Sequence, residues 1–218
     1  DVVLGARSSA ELLEETAALV RAEGRRASVQ LGDVAQPDAA ADLVARAVAA
    51  FGRLDILVNN AALRRETAFA DLGYDEWREV MGVILDGPYL CARAALPALR
   101  ASDMAAIVNI GGMSAHTGAP GRAHVVAAKS GVVGLTRALA HDLAPDGITV
   151  NCVVPGLIDT VRGASARGTP ALHAITTPLA GRRGRSEEVA TLVCYLAGPQ
   201  ARYITVQTLH VNGGAFLP

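Results

Sequence analysis

Short β-branched runs alternate with long Ala/Leu-rich stretches along the whole chain. That alternation constrains the fold more than any other feature, because it is the pattern of a parallel sheet wrapped by helices. Residues 2–4, 28–31, 54–58, 106–110, 148–154 and 207–211 read as strands. Ser8-Ser9-Ala10-Glu11 has the form of a capping box, and Leu12, Leu13, Thr16, Leu19 and Val20 then recur at helical spacing until Gly24. Asp38 is placed to cap a helix closed by Gly52. A long helix is expected over 75–100, bent at Pro88 and Pro97. Another is expected over 122–143, after a Gly-rich loop at 111–121, and Ser186 is placed to cap a last one ending at Ala197. The run at 54–58 is apolar apart from Asp55, so a strand buried on both faces is expected there, ending in Asn59-Asn60-Ala61-Ala62. The stretch 155–185 reads mainly as loop. With no repeat and no linker, 1–218 reads as a single domain.

Composition excludes several classes. A chain that is 51% hydrophobic and 19% charged is not disordered, and with 4% aromatics its core must be aliphatic. Lys+Arg 20 against Asp+Glu 21 gives a net charge of −1, which argues against a nucleic-acid or anionic-membrane surface. No apolar run reaches the length of a membrane span. Cys91, Cys152 and Cys194 lie far apart without metal-ligand spacing, and buried thiols in the cytoplasm are expected. Lys129 is the only lysine.

Four segments, in this order, carry a family likeness: Asn59-Asn60-Ala61, Lys129, Pro155-Gly156-Leu157-Ile158-Asp159-Thr160, and His210-Val211-Asn212-Gly213-Gly214. Together they resemble the classical short-chain dehydrogenase/reductase family, most of all its 3-oxoacyl-carrier-protein-reductase-like branch. The resemblance implies a doubly wound parallel-sheet Rossmann fold with ligands outside the carboxyl ends of the strands. It also implies that a first strand, glycine-rich phosphate-binding turn and first helix, roughly thirty residues, precede Asp1. Without that strand, which the family places mid-sheet, the strand at 2–4 lacks one neighbour.

The resemblance assigns a cofactor face. Arg7 and Ser8 follow the strand at 2–4; a guanidinium there suits a 2′-phosphate, so NADP(H) is expected over NAD(H). In an Arg-rich chain, Arg7 also reads as a surface residue. Asp33 and Val34 match the adenine-contacting position, although Asp is an ordinary turn residue too. Asn60 is expected near the adenosine ribose, with Asn59 tying strands together. Pro155, Gly156, Ile158 and Thr160 match the loop that holds the nicotinamide amide.

At the catalytic end the family pattern breaks. The family uses Asn, Ser, Tyr and Lys, with Lys four residues after Tyr on one helix. Lys129 is present, fit to hold nicotinamide-ribose hydroxyls. The Tyr position is Val125, the Ser position is Gly112 in Asn109-Ile110-Gly111-Gly112, and the Asn position is Ile84. His124 and His116 are candidate substitute proton donors, each equally readable as structural; Lys129 itself is another. The expected function is an NADP(H)-dependent oxidoreductase that acts on a small carbonyl or alcohol through an altered proton relay. The alternative is a catalytically impaired nucleotide-binding or assembly subunit. A homodimer or homotetramer through the two long helices is expected, with the region 161–183 covering the substrate.

Overall fold

The β-branched runs form parallel strands in two sheets. The structure, a computed structural model, describes residues 1–160 and 177–217. Strand β1 (Val2–Ala6) pairs with β2 (Ala27–Leu31). A second sheet has the order β3 (Ile56–Asn59), β4 (Ala106–Ile110), β5 (Thr149–Pro155), β6 (Thr208–Val211), every pair parallel. Helices α1 (Ala10–Ala22), α2 (Pro37–Phe51), α3 (Tyr74–Met81), α4 (Gly87–Arg100), α5 (Ser114–Thr117), α6 (Ala123–Asp142) and α7 (Ser186–Ala197) connect them.

Successive strand side chains point to opposite faces, so both faces of the central strands need a cover. On one face Ile107 and Val150 pack with Ala92, Ala95 and Leu99 of α4 and Ala140 of α6. On the other, Val108 and Val153 pack with Leu196 of α7. These strand residues are fully buried, each contributing about 1.5–3 kcal/mol of apolar burial. This is the doubly wound arrangement.

Strand β3 departs from the expectation of burial on both faces. Ile56 and Val58 are 40% and 43% exposed. The physical reason is that β3 has a hydrogen-bonded neighbour, β4, on one side only, and among the described residues no strand joins β3 to β1. Helix α2 spans the interval instead: Leu43 lies against Gly5 of β1, and Val44 packs with Ala92, Ala95 and Leu99.

Local details also differ. Ser9 is at the N-cap of α1 but its side chain makes no capping hydrogen bond. Gln36 occupies the N-cap position of α2 without a side-chain capping bond, and Pro37 follows in the first turn, so Asp38 lies inside the helix, where its charge meets the positive end of the dipole. Ser186 begins α7 after Arg185, whose N–H donates to Glu188 Oε2 at 2.7 Å. The stretch expected as one long helix is α3 and α4 separated by a π turn over Gly82–Asp86, and Pro88 falls in the first turn of α4, where a helix needs no N–H. There the Gly87 N–H donates to the Gly82 carbonyl, the wider pairing of a π turn; Pro97 sits inside α4. Cys91 and Cys152 are buried, with burial pushing both thiols up to about 11, whereas Cys194 is exposed on α7. No helix among the described residues is long and apolar enough to cross a membrane.

Candidate active site

The carboxyl ends of β3, β4 and β5 and the first turns of α6 enclose one cleft. Asn60, Gly112, Val125, Lys129, Pro155, Gly156 and Ile158 all line it. Its floor depends on close backbone approach. A side chain at Gly156 would put Cβ 2.6 Å from Asn212 Cα, so only glycine fits beside the end of β6. Gly112 is different: a Cβ there would lie 3.6 Å from Lys129 Cγ, an ordinary contact.

Lys129 comes from the buried face of α6, one turn after Val125, and both side chains reach the cleft. Its Nζ donates to the Ile110 carbonyl at 2.5 Å. Burial pushes the ammonium down to about 8, and repulsion from Arg64 and Arg122 adds to this, partly opposed by Cys152. Val125 is 3% exposed and packs with Met113, Ala128 and Val132. Ile84 belongs to the same apolar cluster, inside the π turn, and does not line the cleft.

The two candidate histidines lie elsewhere. His124 is fully buried, its Nε2 3.4 Å from Glu76 Oε1 of α3. Burial lowers its pKa, partly countered by Glu76. His116 stacks edge-on to His210, with ring centroids 4.7 Å apart, and lies 5.7 Å from Phe216. Its pKa too is lowered by burial, with Arg137 contributing. Neither imidazole lines the cleft. Residue 124 follows this course because it is one position, about 100° of helix, from 125.

The expected cofactor residues trace the strand ends. Arg7 leaves β1 and its Nη1 lies 3.2 Å from Glu79 Oε1 and 3.9 Å from Asp33 Oδ2. Ser8 is exposed beside it. Asp33 Oδ1 accepts the Ala35 N–H at 3.0 Å, and Val34 packs against Gly87. Asn59 Nδ2 donates to Asn109 Oδ1 at 2.8 Å across the β3–β4 pair. Thr160 Oγ1 accepts from Arg64 Nη1 at 3.4 Å. Much of the expected substrate-covering region, 161–176, lies outside the described residues.

Arg64, Arg65 and Glu79 were not singled out by sequence reasoning. Arg65 donates to Glu79 at 2.5 and 2.9 Å, so one carboxylate serves both Arg65 in the cleft and Arg7 at β1. The available signal was the Arg64-Arg65 pair directly after Asn59-Asn60-Ala61-Ala62-Leu63.

Residues 1–215 match the family model described as enoyl-(acyl carrier protein) reductase. A short chain dehydrogenase from Burkholderia cenocepacia, solved in complex with NADP, superposes with a TM-score of 0.90 at 34% identity, covering 99% of this chain and 87% of that one. The chain belongs to the short-chain dehydrogenase/reductase family. It is an oxidoreductase of the NAD(P)-dependent kind. Among its short-chain reductase relatives, the 3-oxoacyl-(acyl-carrier-protein) reductase FabG of Staphylococcus aureus is 35% identical over 214 residues, which is 98% of this chain and 85% of that protein. The similar reductase of Synechocystis is 36% identical over the same length. A blue fluorescent protein from a metagenomic library, solved with NADPH, has a TM-score of 0.89 at 31% identity.

Proposed function

We propose that this short-chain oxidoreductase uses NADPH in preference to NADH to reduce a small carbonyl compound, or oxidises the matching alcohol, with Lys129 as proton donor in place of a tyrosine. The observation that carries this reading is the Lys129 ammonium, buried in the cleft one turn after Val125 and facing Gly112.

The residues present fit the dinucleotide. The buried ammonium has three donors, and the Ile110 carbonyl uses one, leaving donors for ribose hydroxyls at the cleft floor. Pro155, Gly156, Ile158 and Thr160 would hold the nicotinamide end, and Asn60, Asp33 and Val34 the adenosine end. Arg7 would receive the 2′-phosphate, exchanging its exposed contact with Glu79 for a charge-assisted pair. When bound, the cofactor supplies a hydride.

The protein has to supply the proton. Hydride addition to a carbonyl leaves an alkoxide, and a proton from Lys129 Nζ completes the alcohol. The neutral amine then regains its proton from solvent. An ammonium lowered to about 8 has a proton available near neutral pH. With Gly112 in place of a side chain, space beside the Lys129 methylenes stays open to substrate or to one relaying water.

We further place this activity in one domain over 1–218, in the cytoplasm, within a homodimer or homotetramer built on α3–α4 and α6. The experiment is a titration of NADPH and NADH into the protein, followed by cofactor oxidation with a panel of ketones. Turnover that is abolished in Lys129→Met supports the reading. NADPH binding with no turnover on any ketone favours the impaired subunit instead, because Val125 has no proton to give.

A further inference from the structure

The cleft is lopsided in charge. Arg64, Arg65, Arg122 and Lys129 line it, against a single carboxylate, Glu66. Arg65 is neutralised by Glu79. Arg64 is not neutralised in that way. Its polar contact among the described residues is the 3.4 Å hydrogen bond to the Thr160 hydroxyl, near the outer limit for such a bond, and no described carboxylate lies within ion-pair distance. Glu66, two residues further on, makes no ion pair with it. Residues 160–186 contain no Asp or Glu, so that part of the chain has no counter-charge to offer.

Arg64 therefore shares one cleft with Lys129, neither has a described carboxylate at ion-pair distance, and the Arg64 charge is one of the two that disfavour the Lys129 ammonium. Like charges gathered in a partly desolvated cleft repel each other at a cost, and that cost is relieved when an anion enters. A guanidinium offers a planar fork of donors that matches the oxygens of carboxylate or phosphate.

We propose that the substrate is an oxo compound bearing a carboxylate or phosphate close to its carbonyl, and that Arg64 is the residue that receives this group. The proposal rests on the reading of this cleft as the reducing site, and it adds the chemical class of substrate. It has a further consequence for the chemistry. An anion held between Arg64 and Lys129 favours the charged ammonium, so the correct substrate keeps its own proton donor loaded.

The test uses two matched pairs of probes: acetoacetate with methyl acetoacetate, and dihydroxyacetone phosphate with dihydroxyacetone. NADPH oxidation gives kcat/KM, and calorimetry in the presence of NADPH gives binding. The expected result is at least a tenfold preference for the charged member of one pair, with that pair telling carboxylate from phosphate. Arg64→Gln should remove the preference and Arg64→Lys should restore part of it. Arg64 is exposed at the cleft mouth, so neither change threatens the fold. Equal turnover of charged and neutral probes, or a preference unchanged in Arg64→Gln, overturns the proposal and leaves the reductase reading standing. If no probe is reduced, Arg64-dependent binding of a charged probe upholds the anion site while the reductase reading fails. Absence of such binding overturns the anion site.

Discussion

Lys129 Nζ donates to the Ile110 carbonyl at 2.5 Å, which ties the second turn of α6 to the last residue of β4. This bond holds a charge where solvation is poor, and a stability prediction follows. The folded-state pKa of about 8 lies below the ordinary 10.5, so between these values the unfolded chain binds the extra proton. Stability contributed by this group is therefore gained as pH rises from about 8 to 10.5, and the charged lysine is a burden at pH 7. Lys129→Met should be more stable than the parent at pH 7 by roughly 1–3 kcal/mol, allowing for the lost hydrogen bond. The same variant should show no gain over the alkaline window and no turnover. Urea unfolding at pH 7, 8.5 and 10 checks all but the last, which is read by NADPH oxidation.

The close approach of Gly112 to Lys129 yields a second prediction. Since a Cβ at Gly112 would meet the lysine at 3.6 Å, Gly112→Ser should fold normally. Val125 lines the cleft, so a larger side chain there has an outlet toward solvent, at a cost of about 1–3 kcal/mol for the packing against Met113 and Ala128. A tyrosine at 125 with Lys129 one turn later would restore a general acid, a function commonly worth about 10²–10⁴ in rate. The Val125→Tyr and Gly112→Ser double variant should reduce ketones at least tenfold faster than the parent. Equal rates would mean that Lys129 alone already supplies the proton efficiently.

The architecture was legible because periodicity is a local property. Six β-branched runs and the Ala/Leu periods between them do not depend on which neighbours they meet. The exposure of Ile56 and Val58 was not legible, because it depends on which strand lies beside β3, and a run of apolar residues carries no record of that. Caps failed for a related reason: Ser9 and Asp38 are suitable residues, but one withholds its side chain and the other lies past Gln36. In the site, Val125 and Lys129 could be paired from helical spacing alone. Arg64 could not be, since two arginines in an Arg-rich chain mean little until β3 delivers them over the Gly112 loop. The same limit applies to His124, whose partner Glu76 lies on a different helix.

Three histidines predict acid sensitivity. Burial lowers the pKa of His124, His116 and His210, with Arg122 and Arg65 adding to the first, Arg137 to the second and His116 to the third; Glu76 opposes the shift at His124. Each folded pKa lies below the ordinary 6.5, so stability is complete above that value and is lost as pH falls through the window beneath it. The urea midpoint should drop between pH 7 and pH 5, and His124→Gln should reduce the drop. In contrast, the kcat/KM profile should keep its midpoint near the value of about 8 set by Lys129 in both His116→Gln and His124→Gln. A kinetic midpoint below 6.5 that disappears in either variant would move the proton donor from lysine to histidine.

Arg7 predicts the cofactor preference. Its guanidinium is 46% exposed and held by two half-buried carboxylates, Asp33 and Glu79, an arrangement in which exchange for a phosphate costs little. Arg7→Ala should raise the Kd for NADPH about tenfold to a hundredfold while changing that for NADH by less than about twofold. Parallel fluorescence titrations of both cofactors give the ratio. Equal weakening of both would place Arg7 in the fold of β1 and not at a 2′-phosphate.

Assembly can be separated from folding at one position on α6. Gly134 is exposed, and a Cβ built there meets nothing within 4 Å. Glycine inside a helix costs about 0.5–1 kcal/mol relative to a residue with a side chain. Gly134→Arg should therefore leave the protomer at least as stable as the parent. If α6 packs against its copy in a dimer or tetramer, the arginine would have no room at the shared surface, and its charge would be desolvated there. Light scattering on the parent should give a dimer or tetramer mass, and on Gly134→Arg a smaller species with unchanged circular dichroism. A monomeric parent would remove the proposed assembly. An unchanged oligomer in the variant would move the interface off this face of α6.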